Sequence, residues 1–205
     1  MRVIVYVDGL NLFYGVLKGT QFKWLDLAKY FVALRQKDEV VEVRYFTARF
    51  EGTRGANQSA YLQALSSTPL VRVDFGRFQS EKYECTVPIP HCTASFRDFF
   101  TTKEKQTDVG LAVAMVEDAA RDRMDAAVVI SGDSDLVPGV RAVQRFDKTT
   151  ILYVPFKEPK LGNYASELRT ASGDDRLFPV ALLRVCQFPD EVISARGPVR
   201  KPAGW

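Results

Sequence analysis

Asp8, Asp108, Asp133 and Asp135 are the residues of this chain whose placement points to chemistry. Asp8 directly follows the apolar run RVIVYV of residues 2–7. Asp133 follows a second apolar run, AAVVI of 126–130, after Ser131 and Gly132, and Asp135 comes next at a helix start. Asp108 opens a helical segment and shares a stripe with Leu111, Ala112 and Met115, so it is expected to face a sheet. Asn11, three residues after Asp8, is placed to join them. Two unit charges about 4 Å apart interact by roughly 4 kcal/mol at an effective dielectric of about 20. Converging acids must therefore take up protons or a cation. Hard oxygen donors in an open cluster suit Mg²⁺ or Mn²⁺, which lower the pKa of a bound water and stabilise charge on a phosphoryl oxygen. That is the chemistry of phosphodiester hydrolysis.

Each acid alone has an ordinary alternative. Asp is a common helix cap, which would serve for Asp133, Asp135 or Asp108, and Asp8 could brace a turn. The convergence of all four on one locus is what favours the metal reading.

The elements that must position these acids follow from hydropathy. Continuous apolar runs without alternation suit strands buried on both faces, as in parallel sheets. Strands are expected at 2–7, 40–47, 70–75, 126–130 and 149–154. Helical spacing is expected through Leu17, over 25–34, 56–67, 109–120, 135–146 and 164–170, and residues 178–185 read as a last strand or helix. Alternating strands and helices predict an α/β fold with ligands bound outside the carboxyl ends of the strands. One domain is expected over residues 1–190. Residues 76–106 read as an excursion, with a short hairpin, between the third strand and the Asp108 helix. Residues 196–205 read as a basic, flexible tail.

Composition narrows the class. The chain has 205 residues, 46% hydrophobic and 26% charged, ordinary for a globular protein. No apolar run is long enough for a membrane span, and the N-terminus does not resemble a signal peptide. Three cysteines make a disulfide framework a poor reading and favour a reducing, cytoplasmic setting. A net charge of +3 permits a nucleic-acid partner without arguing for one.

Three segments carry a family pattern: VDGLN with Phe13 and Tyr14, KEKQTDVGLA from Lys103 to Ala112, and SGDSDLVP from Ser131 to Pro138. Over about residues 2–155 the chain resembles the NYN domain family of the PIN-like nuclease fold. The resemblance implies a three-layer α/β/α fold with a central, mainly parallel sheet, and metal-dependent cleavage of RNA. It also implies that Asp8, Asp108, Asp133 and Asp135 bind Mg²⁺ or Mn²⁺ with Asn11 in support. One departure stands out. Many relatives have an Asp six residues after the one matching Asp108, and here that position is Ala114, which implies a thinner metal site. Glu117 and Asp118 are expected to point away from the Asp108 stripe and are not counted as replacements.

Secondary candidates surround the acids. Lys103 and Lys105 could contact a phosphate or be solvated loop charges. Ser131 and Ser134 could orient ligands, with helix capping as the alternative for Ser134. Tyr14 could stack on a base, whereas Phe13 is better read as core. Arg49, Arg54, Arg72, Arg77, Lys82 and Arg97 form at most a weak backbone track. Cys85, His91 and Cys92, with Cys186, fit no standard zinc spacing, so incidental thiols are the preferred reading. The readings that compete with a ribonuclease are a non-catalytic RNA- or protein-binding module of the same fold and a small-molecule phosphohydrolase. A homodimer through the excursion is left open.

Overall fold

The computed structural model describes residues 1–50, 52–84, 98–157 and 162–205. In chain order the elements are β1 Arg2–Asp8, α1 Gly9–Leu12 running into a π-helical turn Phe13–Leu17, α2 Leu27–Leu34, β2 Glu39–Thr47, α3 Gly52–Leu65 and β3 Val71–Phe75. They continue with β4 Arg77–Glu84, β5 Asp98–Lys105, α4 Thr107–Ala120, β6 Ala126–Ile130, a 3-10 turn Ser134–Leu136 and α5 Val137–Gln144. The chain closes with β7 Thr149–Val154, α6 Ser166–Ser172, β8 Asp175–Leu177, a 3-10 turn Val180–Arg184, β9 Glu191–Ser194 and β10 Gly197–Arg200.

Six strands form one sheet in the order β3-β2-β1-β6-β7-β8, and every neighbouring pair is parallel. Strand alternation explains why the runs are apolar at every position. Val3, Val5 and Val7 enter one core with Ala126, Val128 and Ile130. Ile4 and Tyr6 enter the other with Ala127 and Val129. Residues of α2 and α3, including Phe31, Tyr61 and Leu65, cover the first face. Leu111 and Met115 of α4, Val140 and Val143 of α5 and Leu168 of α6 cover the second. The result is an α/β/α sandwich with an all-parallel sheet.

The order places the topological switch between β1 and β6: from β1 the chain first winds through β2 and β3, then returns to β6 and winds outward through β7 and β8. The crevice beyond the carboxyl ends of β1 and β6 is where such sheets bind ligands.

The excursion is an antiparallel ribbon of β4 and β5, paired from Arg77↔Lys105 to Glu84↔Asp98. Cys85, His91 and Cys92 lie outside the described residues, while Cys186 is buried and free. The tail differs from expectation. β10 pairs antiparallel with β9, Val199 is buried, and Trp205 packs against Trp24 and Tyr61 at ring-centroid separations of 6.3 and 5.9 Å. A few apolar anchors in a polar, Pro- and Gly-rich stretch are enough to dock it. Among the described residues no helix is long and apolar enough to cross a membrane.

Candidate metal centre at the sheet edge

Asp8 ends β1 on the face shared with Ile4 and Tyr6, toward α4. It is 3% exposed. Three donors hold its carboxylate. The Asn11 backbone N–H donates to Oδ1 at 2.9 Å, the Asn11 side-chain amide donates to Oδ2 at 2.5 Å, and the Ser131 hydroxyl donates to Oδ2 at 3.0 Å. Asp8 thus also caps α1. The Asn11 side-chain oxygen accepts from the Gly132 N–H at 3.1 Å, and the Ser131 hydroxyl accepts from the Asp133 N–H at 3.1 Å. One network therefore locks the end of β1 to the loop after β6. Asp133 in turn accepts from the Asp135 N–H at 3.0 Å, capping the short 3-10 turn.

Close packing enforces this crossing. A Cβ on Gly9 would lie 2.6 Å from the Tyr45 ring, and one on Gly132 would lie 2.7 Å from the Tyr164 ring. Tyr164 stacks on Phe156 with centroids 4.4 Å apart, so it cannot easily yield. The glycine types in VDGLN and SGDSD thus let two aromatic rings close against the site.

The charges confirm that the acids are neighbours. Burial, with the Asp133 charge adding, pushes the Asp8 carboxyl up even against its hydrogen bonds. Asp108, in the first turn of α4, is pushed up to about 6 by burial and then by the charges of Asp8, Asp133 and Asp135. Asp8, Asp133 and Asp135 are each within electrostatic reach of Asp108, and Asp133 of Asp8.

A fifth acid belongs with them, and sequence reasoning missed it. Glu104 is pushed up to about 7 by burial and by the charges of Asp8 and Asp108, although the Thr107 hydroxyl donates to its Oε1 at 2.6 Å. Its signal in the sequence was position within KEKQTD: alternation along β5 sends Glu104 to one side of the ribbon and both flanking lysines to the other. Gln106 joins β5 to α4 in the left-handed region, with φ 77°.

The lysines are accordingly engaged elsewhere. Lys103 and Lys105 pair with Glu81 of β4 at 3.0 and 3.2 Å, and Lys103 is also hydrogen-bonded to the Tyr83 hydroxyl. Tyr83 and the two lysines hold the Glu81 carboxyl down to about 2. Their expected role as phosphate contacts is not supported by this placement. Ser131 is buried within the network, while Ser134 is exposed and is not the cap of its turn. Tyr14 is 50% exposed, with the Lys18 ammonium 4.8 Å from its ring centroid. Of the arginine track, Arg72 is tied to Asp74 at 3.1 Å, whereas Arg49 lies over the Phe75 ring at 4.3 Å.

Ala114 is buried beside Leu111 and Met115 in the core, so no acid reaches the site from there. Asp118, expected to point largely away from the Asp108 stripe, is directed into the core. Asp118 is 2% exposed and accepts from the Tyr6 hydroxyl at 2.9 Å, from Arg44 at 3.1 Å and from Arg123 at 2.6 Å. At i+10 it lies about 80° around the helix from Asp108, and at i+7 from Leu111 it shares that residue's buried edge. It is an internal ion-pair anchor, not a member of the cluster.

The donor chemistry of the cluster fits a hard divalent ion: carboxylates only, with mutual repulsion that a cation relieves. Among the described residues no three acidic, histidine or cysteine side chains stand close enough to hold one ion as placed. Asp108 and Asp133 are half-buried and Asp135 is exposed, so these side chains have room to reorient.

The comparisons agree with the fold and the motif positions. The chain is 26% identical over 236 residues to 6-hydroxy-3-succinoylpyridine 3-monooxygenase HspA of Pseudomonas putida (strain DSM 28022 / S16), covering 100% of this chain and 75% of that protein. The crystal structure of a protein of unknown function from Vibrio parahaemolyticus RIMD 2210633 superposes with a TM-score of 0.52 at 16% identity, covering 87% of this chain and 93% of that one. At that identity the likeness speaks for the fold alone. The model of the NYN domain matches residues 2–172 and so takes in every acid of the cluster. The chain belongs to the NYN domain family, a nuclease-like family.

Proposed function

We propose that this protein is a metal-dependent ribonuclease. The observation that carries the reading is Asp8, held by Asn11 and Ser131 at the switch point while its charge and those of Asp133 and Asp135 raise the pKa of Asp108. Asp8, Asp108, Asp133 and Asp135 would hold Mg²⁺ or Mn²⁺, with Glu104 beside them. Such an ion supplies positive charge for the phosphoryl oxygens and acidifies water. The chain's own residues do the rest. Asn11 and Ser131 fix the one buried carboxylate, which pre-organises the cluster. Tyr45 packs against Gly9 and Tyr164 against Gly132 beside it. Glu104, beside the four ligands, is the carboxylate placed to accept a proton from water.

The test is cleavage of single-stranded and structured RNA with Mg²⁺ or Mn²⁺, comparing the wild-type protein with Asp133→Asn. Cleavage that needs the ion and falls by at least a hundredfold in the variant supports the reading. Cleavage indifferent to chelator, or undiminished in the variant, rules it out.

One observation favours a second reading. The buried Ala114 leaves the family's further acid position empty, as a module that binds RNA without cutting it would allow. Metal-independent RNA binding with no turnover is its signature.

A further inference from the structure

Beyond the acid cluster, on the sheet face covered by α3, lies a cavity of about 330 Å³. Its lining includes six aromatic rings: Phe13, Tyr14, Tyr45, Phe50, Tyr61 and Trp205. The volume sits at the lower end for small-molecule sites and suits one ring system, not a duplex. Most of the wall is fixed. Tyr45 and Tyr61 are buried, and the Gln58 amide is committed to Ala48 O at 2.8 Å while its oxygen accepts from the Phe50 N–H at 2.8 Å. Tyr14, by contrast, is half exposed at the rim.

Two features tie this cavity to a nucleic-acid strand. The first is continuity. Gly9, which lines it, is bonded to Asp8, and Leu10, Tyr14 and Phe50 also line a neighbouring groove of about 860 Å³ that includes Glu104, Arg49 and Arg77. The second is charge. Lys18 and Lys23 line the cavity, each with its ammonium near an aromatic ring, over Tyr14 and Trp205 respectively. Apolar walls with ammonium groups among the lining match a planar base flanked by phosphates.

We infer that this cavity is a subsite for one unstacked nucleobase of a single-stranded RNA whose backbone runs along the Arg49–Arg77 groove to the acid cluster. The inference rests on the ribonuclease reading for the choice of strand, and it makes single-stranded rather than duplex RNA the substrate class.

Trp205 provides the readout, because only Trp24 and Trp205 fluoresce as indoles and Trp24 is fully buried. Short oligoadenylate and oligouridylate RNAs are titrated in chelator, so that no cleavage intervenes, alongside strands of the same length made abasic throughout. The inference predicts quenching by the base-bearing strands, lost in Trp205→Phe, and at least tenfold weaker binding for abasic RNA and for Tyr14→Ala. Equal binding and quenching by abasic RNA overturns it. A free nucleoside that binds as tightly as the strand also overturns it, by making the cavity a small-molecule site. Cleavage is assayed separately with Mn²⁺. Base-dependent quenching without cleavage sinks the ribonuclease reading and leaves the subsite standing, whereas cleavage without quenching does the reverse.

Discussion

The Asn11 side chain holds Asp8 with its nitrogen, at 2.5 Å from Oδ2, and holds the loop after β6 with its oxygen, which accepts from Gly132 N–H at 3.1 Å. This single amide therefore couples the orientation of the most buried acid of the cluster to the position of Asp133. Asn11→Ala is expected to cost about 1–3 kcal/mol, because Asp8 and the Gly132 N–H each lose a partner. Mn²⁺ affinity should fall by tenfold or more. Urea denaturation and a Mn²⁺ titration check the two effects separately. Unchanged Mn²⁺ affinity would detach Asn11 from the site.

The acid cluster should leave a pH signature in stability. Asp108 and Glu104 have folded pKa values raised to about 6 and about 7, above the usual carboxylate range. A carboxyl whose folded pKa is raised binds its proton more tightly when folded. Its contribution is therefore fully present below the unfolded pKa and is lost as pH rises through the folded one. Glu104→Gln should gain stability relative to wild type between pH 5 and pH 8. Mn²⁺ should stabilise the wild-type protein more at pH 8 than at pH 5. Thermal melts across that range, with and without the ion, read both.

Gly132→Ala should be destabilising, by about 1–3 kcal/mol, because the new Cβ would meet the Tyr164 ring at 2.7 Å. The cause is testable by pairing it with Tyr164→Ala. If the ring is the obstacle, the double variant costs less than the two single costs added. Strict additivity would place the strain elsewhere.

Asp118 and the site acids should separate cleanly. Asp118→Ala takes from the buried Arg44 one of its two carboxylate partners, Asp118 at 3.1 Å, and leaves Asp74 at 3.0 Å. Losing that partner, to which the Tyr6 hydroxyl also donates, costs about 1–3 kcal/mol. Folded Asp118→Ala should nonetheless bind Mn²⁺ as the wild type does, whereas Asp135→Asn should keep its stability and lose affinity.

Much of this was legible in the sequence, for identifiable reasons. The runs at 126–130 and 149–154 become β6 and β7 with the same limits, because strands buried on both faces read as nearly continuous apolar runs, here interrupted only by the two threonines that open β7. Asp8 and Asp133 fall at the sheet edge because the apolar runs end just before them. β8 was not visible: its three residues, Asp175–Leu177, are all exposed, and tertiary pairing to β7 alone makes them a strand. Glu104 was hidden because its place depends on ribbon alternation that the composition of residues 76–106 does not reveal. The burial of Asp118 was not visible because its partners Tyr6 and Arg44 are distant in sequence. Trp205 gave no local signal, since its partners Trp24 and Tyr61 are distant in sequence.

The central claim is that these carboxylates act together on a divalent ion. Its most direct test is equilibrium Mn²⁺ binding at pH 7.5, followed by electron paramagnetic resonance, for the wild type, Asp8→Asn, Asp108→Asn and Asp133→Asn. The account predicts saturable binding in the wild type and at least a tenfold loss in each variant, with all variants folded by circular dichroism. Wild-type protein that leaves Mn²⁺ free in solution, or variants that bind it as tightly as the wild type, would contradict it.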